Sequence, residues 1–151
     1  MAEVLFRPYD RQDRDRCVAI FDANSPEYFS PVERDDYLEF LDGSIDDYRV
    51  CEEGERVVGA FGLAATSASV SELNWILIDP ETQGRGIGAR MLERAIEECL
   101  RSGAATLRIA ASHKSAPFFE RFGARAVRTT EHGWGPDMHR VDMRLDIAAA
   151  R

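Results

Sequence analysis

The spacing of the apolar residues changes abruptly in the middle of this chain, and that change limits the fold more than any other feature. Trp75-Ile76-Leu77-Ile78 is a short unbroken apolar run with the length of a buried strand. From Ile87 onward the spacing is helical: Ile87, Met91, Leu92, Ala95, Ile96 and Cys99 make one stripe, closed by Gly103. Between the two lies Asp79-Pro80-Glu81-Thr82-Gln83-Gly84-Arg85-Gly86-Ile87-Gly88, with three glycines in five residues at the start of the helix. Glycine lets the backbone approach a ligand closely. The unpaired amides of a first helical turn, with the positive end of the helix dipole, suit a pyrophosphate. Arg85 and Arg90 stand close by in sequence as further positive charge. Taken alone, the same glycines also describe a tight strand-to-helix turn. Two nucleotide-binding patterns drop out: no lysine followed by serine or threonine comes after the last glycine, and the G-x-G-x-x-G spacing is missing.

The flanking segments predict a mixed α+β fold. Val4 to Tyr9 alternates and ends near a proline, and Asp10 caps a helix with Cys17, Val18, Ile20 and Phe21 on one face, stopping near Asn24. Ser30-Pro31-Val32-Glu33 has a capping serine, proline at the first helical position and glutamate at the third, which predicts a helix from Pro31 to Leu41. Tyr48 to Glu53, Arg56 to Thr66 and Ser69 to Ile78 read as an antiparallel meander joined by short turns. After the long helix come a strand from Thr106 to Ala110, a helix from Ser115 to Phe122, and two closing strands, Ala124 to Thr129 and Arg140 to Ile147. Strand, helix, strand at this point implies a parallel crossover. A chain of 151 residues is the size of one domain, and with 44% apolar and 30% charged residues it has enough apolar material for a core.

Charge and cysteine usage narrow the setting. With 19 basic against 27 acidic residues the formal charge is −8, which argues against nonspecific nucleic-acid binding and favours a cationic acceptor such as an amine. Cys17, Cys51 and Cys99 are odd in number and widely spaced, which fits a reducing cytosol. The N-terminus is rich in arginine and aspartate and does not read as a signal peptide, and Val57 to Val70 is too short and broken to span a bilayer.

At the glycine loop the chain resembles the GNAT superfamily of N-acetyltransferases, whose phosphate loop has the form (Gln/Arg)-x-x-Gly-x-(Gly/Ala). Gln83, Gly86 and Gly88 match it. The preceding strand ending in Asp79-Pro80 is in the family's style, and Ala116-Pro117-Phe118-Phe119-Glu120-Arg121-Phe122-Gly123-Ala124 is similar to a second family block, A-x-x-(F/L)-Y-E-(K/R)-x-G-F. With Phe6-Arg7-Pro8 and the early helices, the resemblance covers nearly the whole of residues 1–151. It implies a central, mostly antiparallel sheet of about seven strands with about four helices, splayed between its fourth and fifth strands. It also implies acetyl-CoA as donor, no metal, and direct transfer to a small-molecule or peptide amine, with a homodimer as one assembly it leaves open.

The resemblance assigns roles residue by residue. The phosphate loop is Gln83, Gly84, Arg85, Gly86, Ile87, Gly88 and Ala89. The strand at Ile76, Leu77 and Ile78 pairs with the pantetheine arm, the Ile76 amide acting as oxyanion donor. Glu72 lies eleven positions before Gln83, the spacing of the general base in one branch of the superfamily, and is equally read as an exposed strand glutamate. Phe119 stands where the family usually has a tyrosine that protonates the leaving thiolate, and phenylalanine cannot donate a proton. His113 occupies a position where many members have an asparagine that touches the arm, though it also reads as a loop residue. The Glu131–His139 segment, expected as a loop, offers Trp134 to the acceptor, and its two histidines lack a third ligand in register for a metal. Tyr28 and Phe29, between the first two helices, face the acceptor from the other side or simply pack. Two other readings stand beside the enzyme: a non-catalytic acyl-CoA-binding or regulatory domain that lacks the acid, and a toxin acting on charged tRNA, which needs a basic face that this acidic chain does not offer.

Overall fold

The structure, a computed structural model, describes residues 3–43, 45, 47–82 and 84–148. Seven strands form one sheet: β1 (Val4–Pro8), β2 (Tyr48–Glu53), β3 (Arg56–Ala65), β4 (Val70–Ile78), β5 (Thr106–Ser112), β6 (Arg125–Gly135) and β7 (Met138–Asp146), in the order β1-β2-β3-β4-β5-β7-β6. Every adjacent pair is antiparallel except β4 and β5. Among the described residues, four helices flank the sheet: α1 (Arg14–Asn24), α2 (Arg34–Asp42), α3 (Ile87–Ser102) and α4 (Ala116–Glu120). The mixed α+β class with a mostly antiparallel sheet is thus as expected.

Two apolar layers cover the two faces. On one, α3 lays Ile87, Met91, Leu92, Ala95, Ile96 and Cys99 against Val58, Phe61, Leu73 and Leu107 of the sheet. On the other, Cys17, Ile20 and Phe21 of α1 and Tyr37 and Leu41 of α2 pack on Tyr48, Val50, Ala60 and Leu77. Each fully buried aliphatic side chain contributes roughly 1.5–3 kcal/mol of transfer free energy. Local signals set the helix ends. Before α1, the Asp10 carboxylate accepts the Gln12 amide while Asp13 accepts the Asp10 amide, and at the end of α3 Gly103 takes the left-handed conformation. Ahead of α2, the Glu33 carboxylate accepts the Ser30 amide at 2.8 Å.

Two expectations change. Pro31–Glu33 and Arg11–Asp13 are short 3-10 turns, so the regular helices begin three residues later than the capping pattern suggests. The Glu131–His139 segment is a hairpin rather than a loop: β6 runs to Gly135 and turns at once into β7. Glycine permits this where strands crowd, since a Cβ on Gly133 would sit 2.5 Å from the Arg140 Cβ. Among the described residues, no helix is long and apolar enough to cross a membrane.

Candidate active site

The central fact of the site is that β4 and β5 part company. They pair from Val70 with Thr106 to Leu73 with Ile109, and there the pairing stops. Yet β4 stays paired with β3 as far as Ile78, and β5 with β7 as far as Ser112. Each half of the sheet is intact, and a cleft of about 1270 Å³ opens between them.

A bulge shapes the open edge of β4. Ala60 faces Leu77 and Gly62 faces Asn74, so β4 carries one extra residue there, with Trp75 at φ 43. Side chains on either side of the bulge change faces. Leu73, Ile76 and Ile78 join the α3 layer, whereas Trp75 and Leu77 join the α1–α2 layer. The Tyr48 hydroxyl donates to the Trp75 carbonyl at 2.7 Å and lies 2.9 Å from the Tyr37 hydroxyl, pinning the bulge to the core. Burial drives the Tyr48 phenol far above its ordinary pKa, so it stays a neutral donor.

Beyond the bulge, Asp79 bonds back to β3 through its amide and the Val58 carbonyl at 2.8 Å. By the alternation of an antiparallel ladder, Ile78 then turns its own amide group away from β3, toward the gap. Its carbonyl is held by Asn24 Nδ2 at 2.9 Å, which leaves the amide on the open edge. Asp79 itself is buried. Burial opposes its ionisation, but the Glu81 amide and the Arg16 guanidinium win and hold its carboxyl below the usual range.

The glycine loop forms one end of the cleft. Gly84 and Gly86 have φ 84 and 77, and nothing lies within 4 Å of a Cβ built on either, so this backbone is open to approach. Gly88 is different: a Cβ there would meet Ile78 Cδ1 at 2.8 Å and Phe118 Cζ at 3.3 Å. The first backbone bond of α3 runs from the Arg90 amide to the Gly86 carbonyl at 3.0 Å. The amides of Ile87, Gly88 and Ala89 therefore precede the helical ladder, beside the cleft those residues line.

A sequence profile of the Acetyltransferase (GNAT) family matches residues 17–124. The chain belongs to the GNAT acetyltransferase family. No curated protein matches it by sequence. Among solved structures, it is similar to Ard1 from Thermoplasma volcanium, with a TM-score of 0.80 at 13% identity over 95% of this chain and 97% of that one. It is similar to the ribosomal-protein-S18-alanine N-acetyltransferase from Escherichia coli, with 0.78 at 16% over 96% and 94%. A protein from Salmonella typhimurium, solved with its cofactor acetyl-CoA, gives 0.71 at 18% over 97% and 95%. At these identities the likeness is one of fold.

Set on this GNAT frame, the expected site residues divide. Ile76, Ile78, Gly84, Gly86, Ile87, Gly88, Ala89, Phe119, Tyr28, Phe29 and Trp134 all line the cleft. Leu77 does too, although its side chain belongs to the α1–α2 layer and its backbone faces Ala60. Gln83 lies outside the described residues. Arg85 points away: its guanidinium pairs with Glu53 and is half exposed. His113 is turned to the hairpin, where its Nδ1 accepts the His139 amide at 3.1 Å and its ring lies 4.7 Å from that of His139. It does not stand in for an asparagine on the cleft wall.

Glu72 falls on the paired end of β4, opposite Ala64 and Arg108, with its carboxylate 3.9 Å from the Arg108 guanidinium. The register places it one residue before the last β4–β5 pair, Leu73 with Ile109, rather than in the splay. Phe119 is buried against Phe118, and its ring carries no hydroxyl to offer the cleft. Trp134 donates from Nε1 to the Ala111 carbonyl of β5 at 2.9 Å, with Arg140 over its ring at 4.9 Å. Two cleft residues carried no sequence signal beyond a helix end and a cap: Asn24 and Glu33.

Proposed function

We propose that this chain is an N-acetyltransferase that moves an acetyl group from acetyl-CoA to an amine by direct attack in a ternary complex. One observation carries the reading: a single cleft joins the free amides at the start of α3 to the open edge of β4 and continues to an aromatic wall. When bound, acetyl-CoA supplies an acetyl thioester activated for attack. The residues present fit it, because Gly84 and Gly86 leave open backbone where a side chain would fill the approach.

The amides of Ile87, Gly88 and Ala89 hold the pyrophosphate, with the helix dipole behind them. The Ile78 amide pairs with the pantetheine arm as an added strand would. The Ile76 amide, aimed by the bulge, donates to the developing oxyanion. Tyr28, Phe29 and Trp134 flank the acceptor. Phe119 packs and donates nothing, so the departing thiolate leaves without a phenolic acid, as its modest basicity allows. Glu72 lies on the paired end of the strand beside Arg108, and in this reading it supports β4 rather than reaching the amine. A reducing cytosol suits the three buried, unpaired cysteines.

Calorimetric titration with acetyl-CoA tests the donor site. The wild type should bind, and Gly86→Glu, which puts a carboxylate and a strained side chain at φ 77 into the loop, should weaken binding roughly 100-fold. No binding by the wild type would return the glycines to a structural turn. Binding without turnover of any amine would favour an acyl-CoA-binding domain, the reading that Phe119 keeps open.

A further inference from the structure

A buried acid lines the acceptor side of the cleft. Glu33 is only 6% exposed, yet it forms part of the wall together with Asn24, Tyr28, Phe29 and Trp75. Its Oε2 accepts the Ser30 amide at 2.8 Å, which fixes the carboxylate and leaves Oε1 for another partner. Among the described residues no cation is paired with it, and Asp36 on its own segment is the charge whose field reaches it. The hairpin presses on this turn with uncharged groups: a Cβ on Gly135 would lie 2.1 Å from Ser30 Oγ. The cations of the cleft, Lys114 and Arg121, belong to the segment after β5 and the end of α4. Glu33 is thus the carboxylate of the cleft lining among the described residues.

The aromatic groups around it form a continuous surface. Phe29 stacks on Phe21 with centroids 4.8 Å apart, and Trp75 lies 6.3 Å from Phe29 and 5.0 Å from Tyr37. Such a wall attracts an ammonium group to its ring faces and accepts an apolar body. It offers a second cationic group no partner.

Resting on the N-acetyltransferase reading, we propose that Glu33 is the proton acceptor, and that the substrate is a primary monoamine whose apolar body lies on Phe29 and Trp75. The ammonium gives one proton to a Glu33 oxygen. The lone pair so freed forms the C–N bond while the electron pair of the thioester C–S bond goes to sulfur; the nitrogen's second surplus proton passes to that departing thiolate, leaving the neutral amide and thiol, and Glu33 returns its own proton to solvent. Burial pushes the Glu33 carboxyl up to about 7, against the opposing pull of the Ser30 amide, and Asp36 adds to the rise. A base with that affinity accepts a proton effectively near neutrality.

Glu33→Gln separates this role from the cap, because a glutamine carbonyl still accepts the Ser30 amide. With phenethylamine and acetyl-CoA, kcat should fall roughly 100-fold or more in Glu33→Gln, and the acid limb of its pH profile should vanish. Acetyl-CoA affinity should be unchanged, as should the melting temperature below pH 4.5, where both side chains are uncharged in the folded and unfolded chain, and Glu33→Asp should keep the limb at a lower rate. Independently of turnover, carbon NMR of labelled carboxyls should show one signal that titrates near neutrality and is missing from Glu33→Gln. An unaltered rate and pH profile in Glu33→Gln would overturn the base, as would a Glu33 signal that titrates in the ordinary carboxylate range. Spermidine turned over with a higher kcat/KM than phenethylamine would overturn the monoamine. A wild type that binds acetyl-CoA but acetylates neither amine would sink the transfer reading itself.

Discussion

The two walls of the cleft are made from different parts of the polypeptide. The wall proposed to hold the donor is backbone: the left-handed glycines at 84 and 86, the helix-start amides after them, and the free edge of β4. The wall proposed for the acceptor is side chain: Phe29, Trp75 and a buried carboxylate, brought together from the α1–α2 connection and the bulge. In that reading the first works because side chains are absent and the second because particular ones are present. A wall of backbone fits any ligand with the same phosphate and amide pattern, whereas a wall of side chains can be rewritten for a new amine without disturbing the donor.

The largest effect that would sharpen this contrast lies at Gly88. A valine there would drive its Cβ into Ile78 and Phe118, and we expect acetyl-CoA affinity to fall by roughly 100-fold in calorimetry, with about 1–3 kcal/mol of stability lost to overpacking. Retained affinity would break the claim that the donor wall requires bare backbone. The next effect concerns stability and pH. The Glu33 carboxyl is raised from 4.5 to about 7 in the folded chain, so the folded state holds that proton more tightly than the unfolded one. The stability it contributes is present at low pH and is lost as pH rises through that window. Urea unfolding should show the wild type losing about 3 kcal/mol between pH 5 and pH 8 relative to Glu33→Gln. A parallel pH dependence in the two would mean that the carboxylate is solvated and the acceptor wall is open. The smallest expected effect is at Glu72: Glu72→Gln should leave kcat within about threefold, as expected for a residue outside the cleft. A loss of two orders of magnitude would move the base onto β4.

The donor wall was the legible one. Gly84, Gly86 and Gly88 are contiguous with the helix they open, so their consequence is local and a short motif carries it. The same holds for the meander and for the stripe of α3, whose periods are visible within one turn or one pleat. The acceptor wall is assembled across the fold, and no local pattern joins Glu33 to Trp75. Glu33 reads in sequence as the third residue of a cap, and it is that too; only packing by the hairpin shows that the cap is buried beside a cleft. Glu72 shows the converse. Its spacing is right, but where a ladder stops pairing depends on a bulge that spacing does not encode. His113, too, was read alone, and the structure gathers it with His132 and His139, whose rings lie 5.0 Å apart, because β6 and β7 extend where a loop was expected.

The bulge at Trp75 also bears on how this stretch can change over generations. Losing Trp75 would leave Ile76 alone between Asn74 and Leu77, opposite Phe61, and would restore a regular ladder with Ile78 still toward α3 and Leu77 still toward α1. Point substitutions here alter texture, but a single-residue deletion removes the kink that shapes the open edge. The segment should therefore drift in identity while its length stays frozen.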